Sequence, residues 1–354
     1  MTDLARALEG LRSVTLSTPA RVDALQRILE ALPRGVEDFA ASAQLSVAVA
    51  RDGLERTLRS FDAGAMHRFA ARAPVAKRVF INLAANVFTA PLRPVVLSAL
   101  VGVPTLARAS QRDRAFIGAL EAAFDAGPLA GLLRVVHFDR NDDESHRKAM
   151  ASADLIEAFG SDATITRLQT LAPKEACFVA RGHGYGAFWL DDSNADMDAL
   201  AQDVVAYDQR GCLSPRVGFV HAHALSGVAK DVLQALETAN ASLPRHALPA
   251  DVAAESTRWK DTARALAHVV EGESATVVVD ASGTMPMGPT HRHVLLRPCA
   301  GAPLNSTQLK VLGVEGQAPK VADHVRVCAL GEMQSPPPFA DADGLPAGYG
   351  LVEG

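Results

Sequence analysis

Residues 77–108 read KRVFINLAANVFTAPLRPVVLSALVGVPTLAR. Lys77 to Leu83 is a short apolar run centred on Val79, Phe80 and Ile81, the pattern of a buried strand. Pro91 to Val101 is apolar over a helical length; Pro94 suits a first turn and Gly102 stands where a helix stops. Pro104 to Arg108 supplies a second strand. Strand, helix and strand at this spacing make a crossover unit, and such a unit lays its strands parallel. The texture continues with a helix over 114–126, a strand over 133–138, a helix over 145–152, a strand over 154–159, a helix over 162–171 and a strand over 176–180. The alternation predicts an α/β fold whose parallel sheet carries helices on both faces.

Working outward, Val22, Leu25, Ile28, Leu29 and Leu32 recur at helical spacing, so the first 72 residues or so read as a helical cap. Beyond Tyr185 strands are expected at 187–190, 217–222, 275–279 and 293–297, with helices at 196–207, 226–241 and 256–270. Two domains follow: 1–185, helices plus a Rossmann-like domain, and 186–354, a second α/β domain. Ser335-Pro336-Pro337-Pro338 cannot continue a helix or a central strand, so the tail is expected to be extended or irregular.

A chain of 354 residues is long for one core, which agrees with two domains. With 48% hydrophobic and only 5% aromatic residues, Ala, Leu and Val must fill the interior. A net charge of −5 without a Lys/Arg cluster gives nucleic-acid binding no electrostatic footing. Apolar stretches are broken by Arg93, Arg108 and prolines, so no membrane span is expected. Met1 to Gly10 lacks a signal pattern, and the four cysteines lack paired spacing; both favour a reducing, cytoplasmic setting.

The most informative chemistry lies in Asp208-Gln209-Arg210-Gly211-Cys212-Leu213-Ser214-Pro215-Arg216, between an expected helix and an expected strand. Gly211 lets a substrate approach closely, the Cys212 N–H can face a developing oxyanion, and Arg210 and Arg216 favour the thiolate. A lone cysteine beside glycine also suits a plain buried position. Asn86, after the first strand, has an amide that donates without changing charge, or simply fixes a turn. Phe159-Gly160-Ser161-Asp162 ends a strand and opens a helix, which makes Ser161 an N-cap and the helix start an anion site.

Taken in order, these segments resemble those of the aldehyde dehydrogenase superfamily, and most fully the LuxC-type fatty acyl-CoA reductases, over roughly residues 75 to 345. Besides the blocks above, the resemblance rests on Asp191 to Asp198 upstream of the thiol, on Thr105 to Asp113, on Gly182-His183-Gly184 and on Leu330-Gly331. It implies an aldehyde dehydrogenase-like fold of two α/β domains with an N-terminal helical segment. It also implies reduction of an acyl-CoA, or a related acyl thioester, to the aldehyde through a thioester on Cys212. Asn86 takes the place of the oxyanion donor. Arg108 and Ser110 fall at the adenosine ribose, and Gly160 and Ser161 at the cofactor pyrophosphate. Arginine at 108 suits a 2′-phosphate and so leans to NADPH over NADH. An acyl-CoA or acyl-carrier substrate, a homo-oligomer or an acyl-transferring partner protein are the associations the resemblance suggests.

Departures matter as much. The water-activating glutamate segment of oxidising members falls near Arg181-Gly182-His183-Gly184, where there is no carboxylate; Met285 to Pro289 keeps only the Gly-Pro of the element that holds the nicotinamide ribose. The missing base suits a reductase, and equally a non-catalytic paralogue in a biosynthetic complex; an oxidative aldehyde dehydrogenase is the other alternative. Gly182-x-Gly184-x-x-Ala187 meets a relaxed dinucleotide pattern but precedes an expected strand, not the helix that pattern requires. His183 can act as an acid or orient a substrate. The pairs His221/His223 and His291/His293, expected on strands, lack a third ligand at suitable spacing, so no metal is expected.

Overall fold

The computed structural model describes residues 3–84, 86–110, 114–191 and 195–353. Two compact units divide the chain: 1–43 with 54–183 and 337–354, and 44–53 with 184–336. The tail does not follow the second domain, as the 186–354 boundary had it, but joins the first unit. Arginines hold it there: Arg93 Nε donates to the Pro338 carbonyl (2.9 Å) and Arg72 Nη1 to that of Ala347 (2.9 Å), while Arg181 pairs with Asp343 (3.1 Å). Phe339 packs on Phe61 and Phe69, and Pro74 bridges Val352.

In the first unit, helices α1 (Asp3–Gly10), α2 (Thr18–Ala31), α3 (Val36–Ala43), α4 (Val47–Arg59, whose first part belongs to the second unit) and α5 (Ala63–Ala70) precede the sheet. Strands β1 (Val79–Asn82), β2 (Thr105–Arg108), β3 (Leu133–Val136), β4 (Leu155–Phe159) and β5 (Cys177–Arg181) run parallel in the order β3-β2-β1-β4-β5. Helices α6 (Leu92–Leu100), α7 (Arg114–Asp125), α8 (Asp143–Met150) and α9 (Asp162–Leu171) connect them. Every residue of β1 and β2 is buried, as a sheet covered on both faces demands. Gly102 ends α6 at φ +75°, and the Val103 N–H returns to the Ser98 carbonyl at 2.9 Å, a left-handed helix stop.

The second unit has a seven-stranded sheet in the order β12-β11-β6-β7-β10-β9-β8. Its strands are β6 (Tyr185–Leu190), β7 (Pro215–Val220), β8 (His268–Glu271), β9 (Thr276–Val279), β10 (His293–Pro298), β11 (Leu309–Glu315) and β12 (Arg326–Ala329). All pairings are parallel except β8 with β9. Helices α10 (Met197–Val205) and α11 (Leu225–Ser242) cover one face; α12 (Ala250–Leu266) covers the other through Trp259 and Ala263. The helix expected over 256–270 stops at Leu266, because Val269 and Val270 pair with β9 instead. No described helix is long and apolar enough to cross a membrane.

Candidate active site

The first unit gathers its candidate residues at the carboxyl ends of three adjacent strands. In the order β2-β1-β4, the chain moves outward in one direction from β1 and in the other from β4. That reversal is where open α/β sheets leave a crevice. Asn86 is exposed on the bend after β1. Asn82, at the end of β1, donates its amide to the Phe159 carbonyl (3.1 Å) and ties β1 to β4. Ser161 Oγ accepts the Thr164 N–H (3.3 Å) and caps α9, with Asp162 in the first turn. A side chain at Gly160 would meet Thr164 Cγ2 at 2.9 Å, so packing requires glycine there.

Arg108, at the end of β2, is only 8% exposed. Its Nη2 donates to the Phe138 carbonyl (2.9 Å) and its guanidinium lies over the Phe138 ring. Ser110 is half-buried just beyond β2. Gln111, Arg112 and Asp113, quoted above with Ser110, lie outside the described residues, as do Asp192, Ser193 and Asn194 of the run before the thiol.

The second unit holds Cys212 at the amino end of β7. After α10 comes one 3-10 turn, Ala206–Gln209, then the exposed Cys212, then β7. Tyr207, Asp208 and Gln209 take φ of 51°, 51° and 62°, and His291 and Arg292 take 74° and 69°. These are five of the seven non-glycine residues with positive φ among the described residues. Left-handed backbone costs a residue with a side chain on the order of 1–3 kcal/mol, so something must hold it. Tyr207 Oη donates to the Gly53 carbonyl (2.7 Å). Gln209, fully buried, donates its amide to the carbonyls of Pro215 and His293 (2.8 Å each) and accepts the His293 N–H (2.9 Å). Asp208 and Arg292 form a buried ion pair at 2.8 Å.

The thiol turn itself is tight. The Gly211 N–H donates to Ser214 Oγ (3.1 Å), and the Gly186 N–H of β6 to the Ser214 carbonyl (2.9 Å). A methyl group at Gly186 would stand 2.4 Å from the Leu213 carbonyl oxygen, so glycine lets the turn sit against β6. Arg210 Nε braces the Tyr207 carbonyl (3.2 Å), and Arg216 donates to the Gly288 carbonyl. Burial lowers the Arg216 pKa, and Glu255 opposes that. The other three cysteines are partly buried. Burial raises the pKa of Cys177 and Cys299, and that of Cys328 to about 11.

Several expectations meet a different local structure. Residues 182–184 form a loop between β5 and β6, with no helix after it, and His183 is exposed there. Side chains at Gly184 and Gly186 would strike Lys310 and the thiol turn, so these glycines serve close packing. His221 and His223 lie in a turn beyond β7 with stacked rings, not on a strand; His221 pairs with Asp191 (3.1 Å). His291 precedes β10, while His293 opens it. Among the described residues no three His, Cys, Asp or Glu side chains form a metal-holding group. The pairing of Arg292 with Asp208 and Asn240, and the need for glycine at 186, had no signal in the sequence.

Comparison with known proteins agrees with this architecture. Solved structures of similar fold include an NADP-dependent glyceraldehyde-3-phosphate dehydrogenase from Bacillus halodurans C-125 complexed with NADP (17% identity, TM-score 0.69, 93% of this chain and 83% of that one). A NAD-dependent benzaldehyde dehydrogenase from Corynebacterium glutamicum matches at 16% identity and TM-score 0.70, over 89% of this chain and 79% of that one. A variant of aldehyde dehydrogenase C from Pseudomonas syringae, in complex with NAD+ and octanal, matches at 15% and 0.67, over 89% and 77%. At such identities the likeness is one of fold. No curated protein matches the chain. The acyl-CoA reductase (LuxC) family matches residues 53–303, a span that holds Asn86, Arg108, Ser161 and Cys212. With an aldehyde dehydrogenase fold and most of its length matched by that family, the chain belongs to the LuxC acyl-CoA reductases, and is an oxidoreductase.

Proposed function

We propose that the chain reduces an acyl thioester, acyl-CoA in the first instance, to the aldehyde through a thioester on Cys212. The observation that carries this reading is the exposure of Cys212 in the turn that follows the left-handed run Tyr207-Asp208-Gln209, within the segment the family matches. Cys212 Sγ, as thiolate, adds to the acyl carbonyl; the bond from that carbon to the CoA sulfur breaks and CoA leaves as its thiolate. The Asn86 amide and the Cys212 N–H are assigned to the oxyanion, and His183 to protonating or orienting the substrate. The nicotinamide cofactor, when bound, supplies the hydride. Collapse of the resulting hemithioacetal breaks the carbon–Sγ bond, frees the aldehyde and returns the Cys212 thiolate.

The residues of the first unit fit such a cofactor. Gly160 and Ser161 open α9 beside the strand reversal, where backbone N–H groups favour a pyrophosphate. Arg108 and Ser110 stand at the end of β2, on the far side of β1, the place for the adenosine ribose, and an arginine there favours NADPH over NADH. The segment Arg181-Gly182-His183-Gly184 itself carries no carboxylate to activate water, which suits reduction without hydrolysis. An exposed thiol persists best in a reducing compartment, so we place the activity in the cytoplasm.

Mixing the protein with acyl-CoA and NADPH should lower absorbance at the nicotinamide band and yield aldehyde. Aldehyde-dependent reduction of NADP+ alone would instead favour the oxidative alternative, and no turnover in either direction a non-catalytic paralogue. Asn86→Ala should slow reduction on the order of 10²–10³-fold; turnover near that of the parent would remove Asn86 from the mechanism.

A further inference from the structure

We infer that the buried Asp208–Arg292 pair is the positioning device of the nucleophile: it holds Tyr207, Asp208 and Gln209 in left-handed backbone and so fixes where Cys212 presents its sulfur. The inference rests on the proposed role of Cys212 and extends it to side chains that never touch substrate. L-residues with side chains visit this backbone region singly, not in runs. Here three consecutive residues hold it, and the segment that meets them, His291-Arg292, is left-handed too. The two join through the His291 N–H, which donates to the Asp208 carbonyl (3.0 Å).

Arg292 is fully buried, and all its nitrogens are used. Nε and Nη2 donate to Asp208 Oδ1 (3.2 and 2.8 Å), Nη1 to Asn240 Oδ1 (2.7 Å) and Nη2 also to the Leu243 carbonyl (2.7 Å). Asp208 Oδ2 accepts the His246 N–H (3.4 Å). A buried ion pair is a poor way to gain stability, since apolar residues of like volume often do as well. What it supplies is direction: a planar guanidinium accepts one arrangement of partners. From Asp208 to Cys212 the chain has little slack. Gln209 is clamped at both ends of its amide, Arg210 braces Tyr207, and Gly211 is tied to Ser214.

The decisive variant replaces both charges, Asp208→Leu with Arg292→Met, so that no charge is left buried. Its thermal midpoint should stay near that of the parent. Amide exchange over 206–214 should rise severalfold with β9 and β10 unchanged, and kcat for acyl-CoA reduction should fall on the order of 10²-fold with KM little altered. Arg292→Lys, which keeps the charge and loses the fork, should fall between. Should the double variant fail to fold, Asp208→Asn takes its place: its midpoint falls because Arg292 loses its charged partner, so only the exchange over 206–214 and the split between kcat and KM are read. Recovery of kcat along with stability would overturn the inference, as would exchange that rises evenly across the unit or not at all. If the parent protein fails to reduce acyl-CoA, the functional reading falls, and exchange over 206–214 alone decides whether the pair holds the turn.

Discussion

The corner between β4 and α9 and the turn before β7 each place candidate site residues at a strand end, yet they are held in opposite ways. At Phe159-Gly160-Ser161-Asp162 the cap is local: Ser161 reaches the N–H of Thr164, three residues on. At the thiol turn the partners are distant. Asp208 reaches 84 residues to Arg292, Gln209 as far to His293, and Tyr207 reaches 154 residues to Gly53. A local corner can be rebuilt by any chain with the same few residues. A turn fixed from afar exists only once the sheet around it has formed, so its geometry is a product of the whole second unit.

The comparison can be broken most forcefully at Asp208. Asp208→Ala leaves the Arg292 guanidinium buried without its carboxylate, and such a loss costs about 3–5 kcal/mol. Urea denaturation followed by Trp189 and Trp259, both in the second unit, should show the midpoint falling accordingly. A change within a few tenths would mean that the turn does not depend on its distant partner.

Acid is the next lever. Burial lowers the His293 pKa from 6.5 to about 4, with Nδ1 near the Thr290 carbonyl (3.0 Å) and Nε2 near Ser256 Oγ (2.5 Å). His291 is likewise lowered to about 4, chiefly by burial and next by Arg210. Between the two values the unfolded chain binds a proton that the folded chain refuses. Stability is therefore lost as pH falls from about 6.5 and levels off near 4. His293 alone should contribute about 3 kcal/mol of that loss. His293→Asn should remove about half of the fall in the denaturation midpoint across this window, leaving the share that belongs to His291; an unchanged slope would contradict the assignment.

The smallest effect belongs to the local corner. Ser161→Ala should cost about 1 kcal/mol as a lost cap, and weaken NADPH binding without moving the acylation of Cys212. A loss as large as that at Asp208 would erase the contrast between the two sites.

This contrast also explains what could be read in advance. Strands β1 to β5 stand where apolar runs between turn residues put them, and α9 runs Asp162–Leu171 as its cap and spacing foretold. Strand β11, LKVLGVE, has an apolar run like theirs although no strand was expected there, whereas β12, RVCA, is short and half-exposed and owes its place to parallel pairing with β11. Val269 and Val270 continue the apolar spacing of α12, and only pairing with β9 makes them strand. In the site the same rule holds. Cys212, Asn86 and Ser161 were visible as residue types beside turns, whereas nothing in the sequence ties Arg292 to Asp208, eighty-four positions away.

Intact-mass analysis after brief exposure to acyl-CoA without NADPH tests the central claim most directly. The account predicts a single acyl adduct that maps to Cys212 and is lost, with release of aldehyde, when NADPH is added. Absence of an adduct, or acylation spread over Cys177, Cys299 and Cys328, would contradict it.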